Sequence, residues 1–117
     1  MGYMLLINEP VGQRAERTEA EGRAVYDRML AFAEDLKKRG VLVAVESLQS
    51  QSGATRVQVR GGRPRFVDGP FSEAKEMVGG FFLLSCKTRE EAVAIAAECP
   101  AAEWCTVEVR KVAPCYE

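Results

Sequence analysis

The chain has 117 residues, 47% apolar and 28% charged, which suits one globular domain over residues 1–117 with a single hydrophobic core. Sixteen basic side chains against seventeen acidic ones leave a net charge of -1, so no global field draws the protein to nucleic acid or to an anionic membrane. Histidine is absent, and the four cysteines, Cys86, Cys99, Cys105 and Cys115, stand 13, 6 and 10 residues apart with no Cys-x-x-Cys pair. The usual zinc spacings are therefore missing, neither a metal nor another cofactor is expected, and the thiols read as free and reduced. Without histidine, no Ser-His-Asp or Cys-His unit can be assembled, and proton transfer falls to Asp, Glu, Lys, Tyr, Cys or water. The longest apolar runs are far too short to span a bilayer. The opening Met1-Gly2-Tyr3-Met4 has no basic region or cleavage site, which predicts a cytoplasmic protein without a targeting peptide.

Tyr3-Met4-Leu5-Leu6-Ile7 is a continuous apolar run, the pattern of a strand covered on both faces, and Asn8 to Gly12 reads as the loop after it. Thr18-Glu19-Ala20-Glu21 is a capping box. Behind it Val25, Met29, Phe32 and Leu36 recur at helical spacing, with Ala33 in the same stripe and charge off it. Lys37-Lys38-Arg39 suits the negative end of the helix dipole, and Gly40 is a C-terminal cap. Val41 to Val45 predicts a second buried strand, and Gln49 to Gly53 a polar loop. Thr55 to Arg60 alternates, Gly61-Gly62 is a two-residue hairpin turn, and Arg63 to Val67 returns as an edge strand because Pro64 has no amide to donate. Four arginines, 56, 60, 63 and 65, make this hairpin the most basic part of the chain; with no aromatics interleaved, they read as charge guarding an edge.

The next segment, Val67-Asp68-Gly69-Pro70-Phe71, holds the sharpest turn. Gly79-Gly80 reads as a bulge entering the apolar strand Phe81 to Leu84. Thr88-Arg89-Glu90-Glu91 is a second capping box, followed by an apolar helix that stops at Pro100. Thr106 to Arg110 alternates as a last strand, with Cys105, Val107 and Val109 inward. Strand, helix, strand, hairpin, strand, helix, strand is an α+β order. It predicts a ferredoxin-like βαβ-(hairpin)-βαβ domain with two helices on one face of a mainly antiparallel sheet. Such a sheet leaves its other face bare, so a homodimer is expected.

Several segments together resemble the YCII-related, DGPF-domain family: Tyr3 to Ile7, Gly40-Val41-Leu42 with Glu46-Ser47-Leu48, Val67 to Glu76, Gly79-Gly80-Phe81-Phe82, Cys99-Pro100-Ala101 and Thr106 to Arg110. The match runs from Met1 to about Val112. The resemblance implies a dimeric α/β barrel built on the ferredoxin-like fold. The His-Asp chemistry proposed for some enzymes of the wider superfamily does not carry over to a chain without histidine. By association, the resemblance implies a functional link to a sigma-factor-like regulator.

Two readings of the central segment stand. In the first the protein is a small-molecule-binding or regulatory accessory module, and Asp68 is a turn residue whose carboxylate bonds nearby amides. In the second it is a histidine-independent enzyme of isomerase or lyase type, with Asp68 as acid/base assisted by Lys75 or Glu46. Candidate ligand-binding residues are Glu46 at a strand end, Tyr26 beside the helix stripe, Phe71 and Glu76. Lys75 and Glu76, placed on a helix, would point in different directions. Asp68→Asn separates the readings: intact stability with lost turnover supports catalysis, and a large loss of stability in urea supports the turn.

Overall fold

The computed structural model describes residues 2–117; Met1, the first residue of the run read for a targeting peptide, lies outside them. The elements are β1 (Tyr3–Pro10), α1 (Glu19–Lys38), β2 (Leu42–Ser47), β3 (Thr55–Arg60), β4 (Arg63–Asp68), β5 (Glu76–Leu84), α2 (Arg89–Glu98) and β6 (Thr106–Lys111). Short 3-10 turns at Gln13–Glu16, Gln51–Gly53 and Pro100–Glu103 connect them. Four strands form one antiparallel sheet in the order β2-β5-β1-β6, while β3 and β4 pair only with each other. The domain is α+β and ferredoxin-like. Among the described residues, no helix is long and apolar enough to cross a membrane.

The two apolar runs take the two central positions, β1 and β5, because only there is a strand hydrogen-bonded on both sides. Leu5 and Ile7 of β1 and Phe82 and Leu84 of β5 meet Phe32, Ala33 and Leu36 of α1 and Ala92, Ile95 and Ala96 of α2 in one core. Both helices thus lie on the same face. Phe32 meets Phe82 edge to face, with ring centroids 5.3 Å apart. The start of α1 is sealed by the expected box, with the Glu21 amide donating to Thr18 Oγ1 at 3.1 Å and the Thr18 amide to Glu21 Oε1 at 2.8 Å. Its end is a Schellman turn, in which Gly40 takes φ 73° and the amides of Gly40 and Val41 bond the carbonyls of Lys37 and Leu36. In α2 only half of the expected box forms: Thr88 accepts from the Glu91 amide.

Four differences from the sequence expectations have physical causes. β1 continues through Asn8 and Glu9 to Pro10, because β5 also runs on, back to Glu76, and supplies partners for them. β2 is an edge strand and only half covered, since β5 takes the inner place. The bulge expected at Gly79-Gly80 does form, with Gly79 the extra residue between Gly80 opposite Ile7 and Val78 opposite Asn8. Lys75 and Glu76 are not on a helix: Glu76 opens β5 opposite Pro10. The largest difference concerns the hairpin, which is no edge of the main sheet but a separate ribbon with every residue from Thr55 to Asp68 exposed. Its turn has Gly61 at φ 57° and Gly62 at φ 75°, the twist a two-residue hairpin requires. The projecting ribbon accounts for a radius of gyration of 16.0 Å, where a chain of this length packed as a sphere has about 13 Å.

Leu36 is fully buried in the common core. Leu36→Ala is therefore expected to lower stability by about 2–5 kcal/mol, whereas truncating the exposed Val59 stays within about 0.5 kcal/mol. Urea unfolding of the two variants checks the contrast.

Candidate functional site

The N-terminal half of α1 stands away from the sheet. Phe32, Ala33 and Leu36 are buried, but Val25 and Met29 of the same stripe are only half-buried. Beneath them lies a cavity of about 550 Å3, walled by Val25, Met29, Leu30 and Ala33 from α1, Ile7, Val45 and Phe82 from the sheet, and Leu48 and Trp104 from flanking loops. Arg14, Arg17 and Tyr26 stand at its border, and Tyr26 is half exposed. A concave, mainly apolar space of this size with a few polar groups at its edge has the character of a small-molecule site.

An ion pair stands at the edge of the cavity. Glu9, at the end of β1, points to the helix side and is only 7% exposed, the one buried charged residue among those described. Arg14, in the 3-10 turn that follows, grips it with two bonds, Nε to Oε2 at 2.9 Å and Nη2 to Oε1 at 2.7 Å. Its Nη1 donates to the Leu48 carbonyl at 2.9 Å. The forked geometry satisfies a carboxylate that would be costly to bury alone. Room for it comes from Gly79, where an added Cβ would lie 1.7 Å from Glu9 Oε1. Gln13 Nε2 donates to the Trp104 carbonyl at 2.7 Å, and Arg28 of α1 pairs with Glu103. That bond raises the Arg28 pKa and holds the Glu103 carboxyl below its usual range. Trp104 lies between two guanidiniums, Arg17 at 5.8 Å and Arg28 at 5.3 Å from its ring centroid. Arg28 has its carboxylate. Arg17 is in no ion pair among the described residues.

The sequence-derived site residues fall in three places. Tyr26 and Glu46 border this cavity. Glu46 sits opposite Phe81 in the sheet register, out of phase with the inward pair Val45 and Phe82, so its side chain is directed to the bare face. Phe71 and Glu76 border a second, more open hollow of about 410 Å3 with Leu48, Gln51, Arg56 and Met77. Phe71 is buried there, with the Arg56 guanidinium 3.7 Å above its ring and paired to Glu73 at 2.9 Å. Asp68 and Lys75 border neither hollow. Asp68 lies at the base of the hairpin, where Thr55 Oγ1 donates to its carboxylate at 2.7 Å and the Gly69 amide bonds the Ala54 carbonyl at 2.8 Å. The Gly69-Pro70 bond that follows is cis.

Glu9, Arg14 and Arg17 escape sequence reasoning because no local motif joins a strand-end carboxylate to an arginine beyond a Pro-Val-Gly turn. Tyr26 and Leu30, four residues apart beside the main stripe, are the legible signal that α1 has more apolar surface than one stripe needs.

The profile of the YCII-related domain family matches residues 1–115. No curated protein matches the chain.

Arg14→Ala is expected to cost about 2–3 kcal/mol by leaving Glu9 without its donors. Gly79→Ala is expected to cost about 3 kcal/mol in the native chain and much less once Glu9 is already alanine. A four-corner set of urea melts measures this coupling. Thiol reactivity offers a second check. Burial, first, and the charges of Glu9 and its neighbours push Cys105 up to about 11, and burial also raises Cys86 and Cys99. A raised thiol stays protonated and inert below its pKa. At pH 8 the folded protein should therefore show one fast-reacting thiol, the exposed Cys115, and three slow ones.

Proposed function

The chain belongs to the YCII-related domain family, and on that premise we propose that it is a small-molecule-binding accessory module that works as a homodimer. The ligand class is a flat, mainly apolar molecule carrying one acidic group. What carries this reading is the pairing of a 550 Å3 apolar cavity with Arg17, a half-buried cation at its border that is in no ion pair among the described residues. Trp104 offers a ring face beside that cation, and Arg14, already neutralised by Glu9, donates shape more than charge.

The homodimer reading rests on the sheet face away from the helices. Register and alternation direct Met4 and Leu6 of β1 and Phe81 and Leu83 of β5 to that side, where no element of the same chain covers them and each is half-buried. A two-fold contact would cover this face twice over. Four unpaired thiols suit a reducing compartment, so we place the protein in the cytoplasm, where an accessory role beside a sigma-factor-like regulator is open to it.

Trp104 is the single tryptophan, so its emission reports on the cavity directly. Titration with 1-anilinonaphthalene-8-sulfonate and with naphthoic acid is expected to change it saturably. Arg17→Ala should weaken the two acids at least about tenfold and leave neutral naphthalene unaffected, as loss of a charge-assisted contact does. Val25→Phe, which leaves Trp104 the single tryptophan, should fill part of the space and weaken the binding of all three probes. Emission indifferent to all three probes up to their solubility limits would sink the binding reading. Light scattering at micromolar concentration is expected to give the mass of a dimer, and Leu6→Glu that of a monomer.

A further inference from the structure

The β3–β4 ribbon is two-faced. Register puts Val57 opposite Phe66 and Val59 opposite Pro64 on one side, and Arg56, Arg60, Arg63 and Arg65 with Gln58 and Val67 on the other. The apolar side is bare: Val57 is 58% exposed, Val59 59% and Phe66 67%. An isolated two-stranded hairpin with such a face is marginal in water, and large unpolar side chains held out in a row mark a surface meant to be covered.

Its own body does not cover it. The ribbon is aimed by its base, where Arg56 stacks on Phe71 and pairs with Glu73, and the Gly69 amide bonds the Ala54 carbonyl. The base is also close-packed, since a Cβ at Gly69 would lie 1.9 Å from the Gln51 carbonyl oxygen. Because Arg56 turns the basic side toward the Phe71 loop, the Val57–Phe66 side looks away from the body.

We propose that the ribbon is a clasp that lays its Val57–Val59–Phe66 side on the body of a second copy of this chain, against that copy's bare sheet face. Charge argues for a second copy over another partner. From Thr55 to Asp68 there are four arginines and one aspartate, three positive charges in excess. With the chain at -1 overall, the rest of it carries four negative charges in excess, so the clasp of one copy and the body of another attract. Among the described residues Arg60, Arg63 and Arg65 form no ion pair within their own chain. They lie on the side of the ribbon opposite to the docked one, so their attraction acts on the acidic body of the second copy as a whole and not through a pair on the docked face. One chain thus holds both halves of a reciprocal contact, and two-fold symmetry satisfies both at once.

The proposal rests on the homodimer reading above, and sedimentation equilibrium on the full chain separates them. Phe66→Asp and Val57→Asp are each expected to raise the dimer dissociation constant at least about tenfold, as loss of a central interface anchor does. Their far-UV circular dichroism and melting of the separated protomer should stay as in the wild type, because both side chains are exposed there. Arg60→Glu combined with Arg63→Glu should weaken the dimer at low salt and flatten its salt dependence. A dimer that Leu6→Glu breaks but that ignores every clasp substitution overturns the clasp and leaves the dimer standing. A wild-type monomer overturns both. A monomer whose ribbon binds a DNA duplex in a salt-dependent way overturns the clasp in favour of nucleic acid.

Discussion

The pair of buried Glu9 and partly exposed Arg14 is the contact on which the shape of this domain turns. Arg14 joins the end of β1 to the loop after β2, through the Leu48 carbonyl, and it does so beside the bulge in β5. A carboxylate placed there alone would lose several kcal/mol of hydration; a forked guanidinium restores it with two charge-assisted bonds. The arrangement works only because Gly79 has no side chain. An alanine there would occupy the place of Glu9 Oε1. Bulge, glycine and ion pair are therefore one device, and none of the three has a use without the others.

From that device follows the uneven seating of α1. Its C-terminal half is bonded to the core by Phe32, Ala33 and Leu36. Its N-terminal half instead meets the turn that carries Arg14 and the loop that carries Trp104, tied in by the Arg28–Glu103 pair. The space between is left unfilled and mostly apolar. A helix that packed tightly along its whole length would gain more burial, so the gap marks a place where the fold gives up packing, as binding sites do. At its border stands Arg17, which is in no ion pair among the described residues.

Polarity is divided in the same way over the whole molecule. The helices close one face of the sheet, and the other face and the ribbon keep apolar side chains outside. Charge is separated too, with basic residues concentrated on the ribbon and acidic ones on the body. A chain with a net charge of -1 is thus far from neutral locally, and whole-chain composition conceals it.

Local chemistry made much of this legible. The run Tyr3 to Ile7, the capping box at Thr18 and Glu21, the Gly40 cap, the Gly61-Gly62 turn and the Gly79-Gly80 bulge all follow from residue type at short spacing, and each forms. So does the order of elements, and with it the ferredoxin-like fold. What the sequence by itself determined was therefore periodicity, caps and turns, because those depend on neighbours three or four residues away. Only the tertiary structure decided that Glu9 is buried, that Phe71 lies under Arg56, that the cavity opens beneath Tyr26, and that the hairpin leaves the sheet. Each of these depends on residues far apart in the chain: Glu9 on Gly79, Trp104 on Gln13 and Arg28, Phe71 on Arg56. Pairings at that separation are set by packing of whole elements, and no local pattern encodes them.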